Sequence, residues 1–194
     1  MNYDRYKKYT EEEYNKKSIS SFFMKNQCDK ILFPYIDGIT GKEILEVGLG
    51  YGGYTKRYMD KNNVSGMDIN SDMGKDIGIS IIQGKADQIR EKVNKKYDYI
   101  LSFFMTEYLA SNELEQFMEQ AVEALKPGGT FATTIIWNRG IGWLYIALAR
   151  IKGIKKYNYS IDAIKEMISG KNINITKLNS VLHIPFALLL EIKQ

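Results

Sequence analysis

The first chemical signal lies in Glu46-Val47-Gly48-Leu49-Gly50-Tyr51-Gly52-Gly53. Its glycines let the backbone turn sharply and approach a ligand with no Cβ in the way. The run follows the apolar segment Ile44 to Val47 and precedes a stretch able to form a helix, the setting in which a glycine-rich loop carries meaning. Asp68 closes the next apolar segment, 20 residues beyond Gly48. A carboxylate there can accept hydrogen bonds from ribose hydroxyls. A tight strand–helix junction would also use such glycines. The acid at 68 and the order of the later elements tilt the reading toward a ligand site.

The elements that must hold these residues follow from hydrophobic patterning. Residues 44–47 read as a short buried strand, and 64–69, 79–82 and 97–102 as three more. Thr55 to Lys61 can form a helix after the glycines. Ser111 to Leu125 is a second helix, with Ser111 as its cap and Glu113 and Glu115 in its first turn. Leu114, Phe117, Met118, Ala121, Val122 and Leu125 share one face of it. Lys126-Pro127-Gly128-Gly129 is expected to end that helix in a turn, followed by a fifth strand over 130–137. Segments 173–182 and 185–192 have little between them and read as an antiparallel pair. The rhythm is that of an α/β protein with a doubly wound, mostly parallel sheet and helices on both faces. In such sheets ligands bind outside the carboxyl ends of the strands, where the glycine turn lies.

Composition narrows the classes. The chain has 194 residues, 44% hydrophobic and 26% charged, as in ordinary globular proteins. Its formal charge of +4 is too small to indicate a nucleic-acid partner. Cys28 is the only cysteine and His183 the only histidine, which excludes an internal disulfide and a cysteine- or histidine-rich metal cluster. The start, MNYDRYKKYTEEEYNKK, has no apolar core like that of a signal peptide, and no run reaches about 18 apolar residues. A cytoplasmic protein without a metal is expected.

Several motifs together resemble the class I S-adenosylmethionine-dependent methyltransferases, from about residue 30 onward. Residues 44–52, ILEVGLGYG, are similar to the family's first motif, and Gly66-Met67-Asp68-Ile69 to its ribose-binding motif. Gly84-Lys85-Ala86-Asp87 stands at its adenine-binding turn. Tyr97 to Ser102, followed by Glu107-Tyr108-Leu109, resembles the fourth-strand motif, and Ala124 to Gly129 the turn into the fifth strand. The resemblance implies a seven-stranded sheet with an antiparallel C-terminal strand and S-adenosylmethionine as cofactor. It implies that Gly48, Gly50 and Gly52 border the methionine part and ribose, and that Glu46 acts near the amino group. Asp68 would hold the ribose and Ile69 pack on the adenine. Ala86 would meet the adenine edge, and Ser102 and Phe103 would line the cofactor beside the methyl. Family members often carry an acid directly after Gly84. Here Lys85 has no acceptor to offer, and Asp87 or backbone carbonyls would have to serve.

The acceptor side is less marked. Glu107 either faces the substrate or starts a solvated helix, and Tyr108 either orients a substrate or packs. His183 reads as a structural histidine or as a catalytic one near the terminal pair. Cys28 precedes the glycine turn, and no Asn/Asp-Pro-Pro-aromatic run follows the fourth strand, so nucleic-acid acceptors are disfavoured. One domain over 1–194 is expected, with an N-terminal helical cap over 1–36 and a substrate-covering insertion over 137–170. Tyr14, Tyr108, Trp137 and Trp143 are the candidate acceptor contacts, for a small molecule of aromatic or lipid-like character. Residues 140–149 are apolar nearly all round, beside a basic stretch. They form either a lid packed on the core or a peripheral membrane contact. Other readings are a non-catalytic cofactor-binding subunit, an RNA or protein methyltransferase, or a nicotinamide dehydrogenase.

Overall fold

The computed structural model describes residues 22, 25–151, 153–179 and 187–193. Seven strands form one sheet: β1 (Glu43–Val47), β2 (Asn63–Asp68), β3 (Ser80–Gln83), β4 (Tyr97–Ser102), β5 (Leu125–Ile136), β6 (Asn174–Asn179) and β7 (Ala187–Lys193). Their order across the sheet is β3-β2-β1-β4-β5-β7-β6. The first five are parallel, and β7 runs antiparallel to both β5 and β6. The strand order reverses between β1 and β4, so the glycine turn after β1 opens at the switch point of the sheet.

Alternation along each strand builds two cores. Leu45, Ile100, Phe131 and Leu190 face one side, where they meet Ile89 of α2 (Ile89–Lys92) and Leu114, Phe117 and Met118 of α3 (Ser111–Glu123). Phe117 meets Phe131 edge-on, with ring centroids 5.2 Å apart. Ile44, Leu101, Ala132 and Leu189 face the other side. There they pack against Ile36 of α1 (Phe33–Asp37), Leu32 and Cys28 of the π-helical turn before it, and Tyr58. The apolar residues of the strand centres thus find apolar partners on both faces of the sheet, which explains their largely hydrophobic runs.

Some local expectations are corrected. Residues 55–61 do not form one helix; they make two 3₁₀ turns, Thr55–Arg57 and Met59–Lys61. Tyr58 breaks between them at φ −130°, and both Thr55 and Tyr58 are tied by their hydroxyls to Glu46. Ser111 is the first residue of α3 and not its cap; Ala110 holds that place, and the Glu113 carboxylate accepts from its N–H at 2.7 Å. Strand β5 begins at Leu125 and runs through the expected turn. The register shifts between Tyr97 and Tyr99, and Gly128 has φ +78°, so the glycine pair sits in a bulge. The terminal pair is antiparallel as expected, with its connection outside the described residues. Two helices complete the chain beyond β5: α4 (Gly140–Ile151) and α5 (Ile161–Met167). Most of the expected 1–36 cap lies outside the described residues.

Candidate active site

The turn after β1 is fixed by its own backbone. Gly48, Gly50 and Gly52 all have φ between +57° and +76°, a region that disfavours side chains. Gly48 N–H donates to Met67 O at 2.7 Å, and Gly50 N–H to Asp68 Oδ2 at 3.2 Å. Asp68 Oδ1 accepts from Asn70 N–H at 3.1 Å. With backbone bonds also from Ile69, the Asp68 carboxylate still keeps acceptor capacity for a ribose hydroxyl. Burial raises the Asp68 pKa above the ordinary carboxylate value, and the backbone bonds from Asn70 and Gly50 oppose it.

Glu46 lies directly beneath. It is fully buried, and its Oε2 accepts from Thr55 Oγ1 and Tyr58 Oη, both at 2.5 Å. Burial pushes its pKa up to about 7 against the pull of those hydroxyls. The carboxyl expected near a cofactor amino group therefore also ties the loop that follows the glycines to β1.

At the turn expected to meet an adenine, Ile69 follows the end of β2 with 66% of its surface exposed, an uncovered apolar side chain. Gly84 N–H donates to Asp68 O at 2.9 Å, which brings the two turns together. Lys85 is exposed and its N–H donates to Gln88 Oε1 at 2.9 Å. Asp87 is half-buried beside Ala86. Its carbonyl accepts from Gln120 Nε2 at 2.7 Å, while its Oδ1 is buried with no hydrogen-bond partner. A buried carboxylate oxygen left without a donor fits an incoming amine.

At the end of β4, Ser102 is fully buried and its Oγ also lacks a partner. Phe103 is buried and meets Tyr54 edge-on, with centroids 6.1 Å apart. Phe104 takes φ +52°, held by its N–H donating to Thr134 Oγ1 at 2.6 Å. That bend turns the chain back across the glycines: a Cβ on Gly48 would lie 2.3 Å from Met105 Cγ. The glycine cradle, the placed acid and the two orphaned oxygens fit a nucleoside-bearing cofactor.

The neighbouring Glu107 is not at a solvated helix start. It is buried, and its Oε1 lies 3.5 Å from Lys156 Nζ. Its Oε2 is buried without a partner. Lys156 also donates to Tyr145 Oη and lies 4.6 Å from the ring centroids of both Tyr108 and Tyr145. The paired carboxylate and tyrosines raise the Lys156 pKa despite its burial. Tyr108 keeps 48% of its surface exposed, but desolvation at its hydroxyl end and the Glu107 carboxylate lift its pKa to about 12. Tyr157 N–H donates to Glu107 O at 2.7 Å, so segment 155–157 is bound to the chain after β4.

The remaining candidates separate. Trp137 is half-buried, packs on the first core and bridges to Tyr159. Trp143 is 57% exposed on α4, away from the buried Ile146 and Ala149. Tyr14 and His183 lie outside the described residues. Lys156 had no local signal as a site residue, because its partner stands 49 positions away. Met105 and Thr134 were equally invisible. Among the described residues no group of three or more His, Cys, Asp and Glu could hold a metal ion. A cleft of about 570 Å³ lined by Lys42, Glu43, Asn62, Asp98 and Lys126 lies at the amino ends of the strands, remote from these groups.

A family model described as a methyltransferase domain matches residues 44–129. Comparison with curated proteins finds no match. Among solved structures, the chain resembles magnesium protoporphyrin IX methyltransferase from Synechocystis PCC 6803 with bound SAH, at 12% identity and a TM-score of 0.71, covering 98% of this chain and 94% of that one. A complex of DhpI with SAM and HEP is similar at 15% identity and a TM-score of 0.73, over 99% and 94% of the two chains. An S-adenosylmethionine-dependent methyltransferase from Clostridium acetobutylicum ATCC 824 is similar at 14% identity and a TM-score of 0.63, over 100% and 92%. At these identities the likeness is one of fold.

Proposed function

We propose that the chain, whose residues 44–129 match a methyltransferase domain, is a class I S-adenosylmethionine-dependent methyltransferase that methylates a small acceptor of aromatic or lipid-like character. The observation that carries the reading is the Gly50–Asp68 contact. It sets a carboxylate with spare acceptor capacity beside a positive-φ glycine turn, at the switch point of the sheet.

S-adenosylmethionine, when bound, supplies a methyl group on a positively charged sulfonium that is already activated. The protein's own work is then to orient, enclose and handle a proton. On this reading Asp68 accepts from the ribose hydroxyls, and Gly48, Gly50 and Gly52 admit the methionine part. Ile69 packs on the adenine, and the Ala86–Asp87 turn takes its amine on the orphaned Oδ1. Ser102 and Phe103 close the wall beside the methyl. The acceptor lies beyond them, near the rings of Tyr108 and Trp137. An oxygen or nitrogen acceptor must lose a proton as it gains the methyl. Glu107, with one oxygen paired to Lys156 and the other unpartnered, is the base this arrangement offers. The apolar and aromatic character of Tyr54, Phe103 and Phe104 supports a small apolar acceptor over a polymer.

Titration calorimetry of the full chain with S-adenosylhomocysteine tests the reading. Saturable one-site binding is expected, with no binding of NADH. Absence of heat with both S-adenosylmethionine and S-adenosylhomocysteine would overturn it.

A further inference from the structure

Helix α4 carries a surface that methyl transfer does not require. Of the seven large hydrophobic residues exposed in the described structure, Trp143, Leu144, Leu148 and Ile151 lie on this one helix, with Ile151 82% exposed. With about 100° of rotation per residue, they and Ala147 sweep an apolar arc of about 140°. The helix is not left open by loose packing. Its opposite face is buried through Gly142, Ile146 and Ala149, and Ile146 packs with Ile136 and Ala187. Tyr145 is further held by Lys156.

Charge around the arc is of one sign. Between Glu123 and Asp162 the sequence has no acidic residue, while Arg139, Arg150, Lys152 and Lys155 fall between 139 and 155; the adjacent Lys156 is buried against Glu107. Arg139, Arg150 and Lys155 are exposed. On the helical projection Arg139 and Arg150 border one edge of the arc. Arg150 Nε donates to Lys156 O at 3.2 Å, which anchors one edge of the guanidinium while the residue stays exposed.

We propose that the outer face of α4 seats on an anionic lipid surface, with Trp143, Leu144, Leu148 and Ile151 entering the headgroup boundary and Arg139, Arg150 and Lys155 meeting lipid phosphates. Basic residues flanking a Trp- and Leu-bearing helix face are the physical requirement for such binding. A second copy would bring the same positive rim against itself, which opposes self-association through this face. The helix lies on the bilayer and does not cross it: among the described residues no helix is long and apolar enough to span. The inference stands apart from the methyl-transfer reading, since neither observation uses the glycine turn.

Flotation of the full chain with vesicles tests it. Protein is expected to float with phosphatidylcholine vesicles containing about one third phosphatidylglycerol, not with phosphatidylcholine alone, and to be released at about 0.5 M salt. The L148E/I151E double variant, whose changed side chains point outward, should keep its far-ultraviolet spectrum and its S-adenosylhomocysteine heat while losing at least about tenfold in vesicle association. Wild-type protein that stays unbound to both vesicle types overturns the proposal. So do equal binding to both, and a double variant that floats like the wild type. A concentration-dependent dimer that L148E/I151E abolishes, with no vesicle binding, assigns the face to a second copy instead. Failure of the calorimetric control alone would sink the cofactor reading and leave the lipid result standing.

Discussion

Lys156 Nζ lies 3.5 Å from Glu107 Oε1, and both side chains are almost sealed from solvent, at 8% and 3% exposure. The pair joins the chain after β4 to the segment after α4, with Tyr145 taking a second donor of the ammonium. Removing one partner of a buried ion pair leaves an uncompensated charge, at a cost of about 3 kcal/mol. Lys156→Met is therefore expected to lower Tm by roughly ten degrees. The K156M/E107Q double variant should recover part of that loss, because neither charge is then stranded. Calorimetric melting of the three variants decides it. A K156M protein as stable as the wild type would show the pair to be idle.

Glu46 supplies a pH signature. Its folded pKa is about 7, raised by burial from 4.5. The folded state thus holds a proton that the unfolded chain releases first. Its stabilising contribution is complete below about pH 4.5 and falls away as pH rises to 7, a change on the order of 3 kcal/mol. Glu46→Gln, which keeps an acceptor for Thr55 and Tyr58, removes that slope. The difference in Tm between E46Q and wild type should grow in favour of E46Q from pH 4.5 to 7 and then level off. A constant offset across that window would show that Glu46 titrates normally.

Gly48 and Met105 are in such close approach that a Cβ on the glycine would sit 2.3 Å from Met105 Cγ. Gly48→Ala meets both that clash and a φ of +72°. A loss of about 1–3 kcal/mol in stability is expected. In G48A/M105A the 2.3 Å contact with Cγ is removed, while the Cβ of residue 105 at 2.9 Å and the backbone strain remain, so the double variant should regain only part of the stability. Full recovery in denaturant titration would mean that packing alone excludes a side chain at 48.

Asp68→Ala removes the acceptor of Gly50 N–H and Asn70 N–H as well as the proposed ribose contact. Affinity for S-adenosylhomocysteine should fall by about 10- to 100-fold, the equivalent of one charge-assisted hydrogen bond. Asp68→Asn, which keeps one acceptor oxygen, should lie between Ala and wild type. Unchanged affinity in D68A would detach the ribose from this residue.

Much of the frame was legible in the chain itself. The four strands read at 44–47, 64–69, 79–82 and 97–102 match β1 to β4 within a residue at each end, because each is a short apolar run closed by a turn. The terminal antiparallel pair was legible from the short spacing between its halves. The glycine pair at 128–129 misled, because a positive φ suits a bulge as well as a turn. Only pairing with β4 shows that the strand continues through it. The break at Tyr58 was hidden for a similar reason: its cause, Glu46, lies on the preceding strand.

The amino-acid order by itself determined the alternating elements, the glycine turn and the acid that follows it, since these depend on contacts within about 25 residues and on the conformational range of each residue type. Tertiary structure alone decided that Met105 lies over Gly48, that Lys156 pairs with Glu107, and which face of α4 is left outside. Those are meetings of distant segments. A buried lysine or an uncovered leucine has no mark in its own neighbourhood, because its environment is made by chain that arrives from elsewhere.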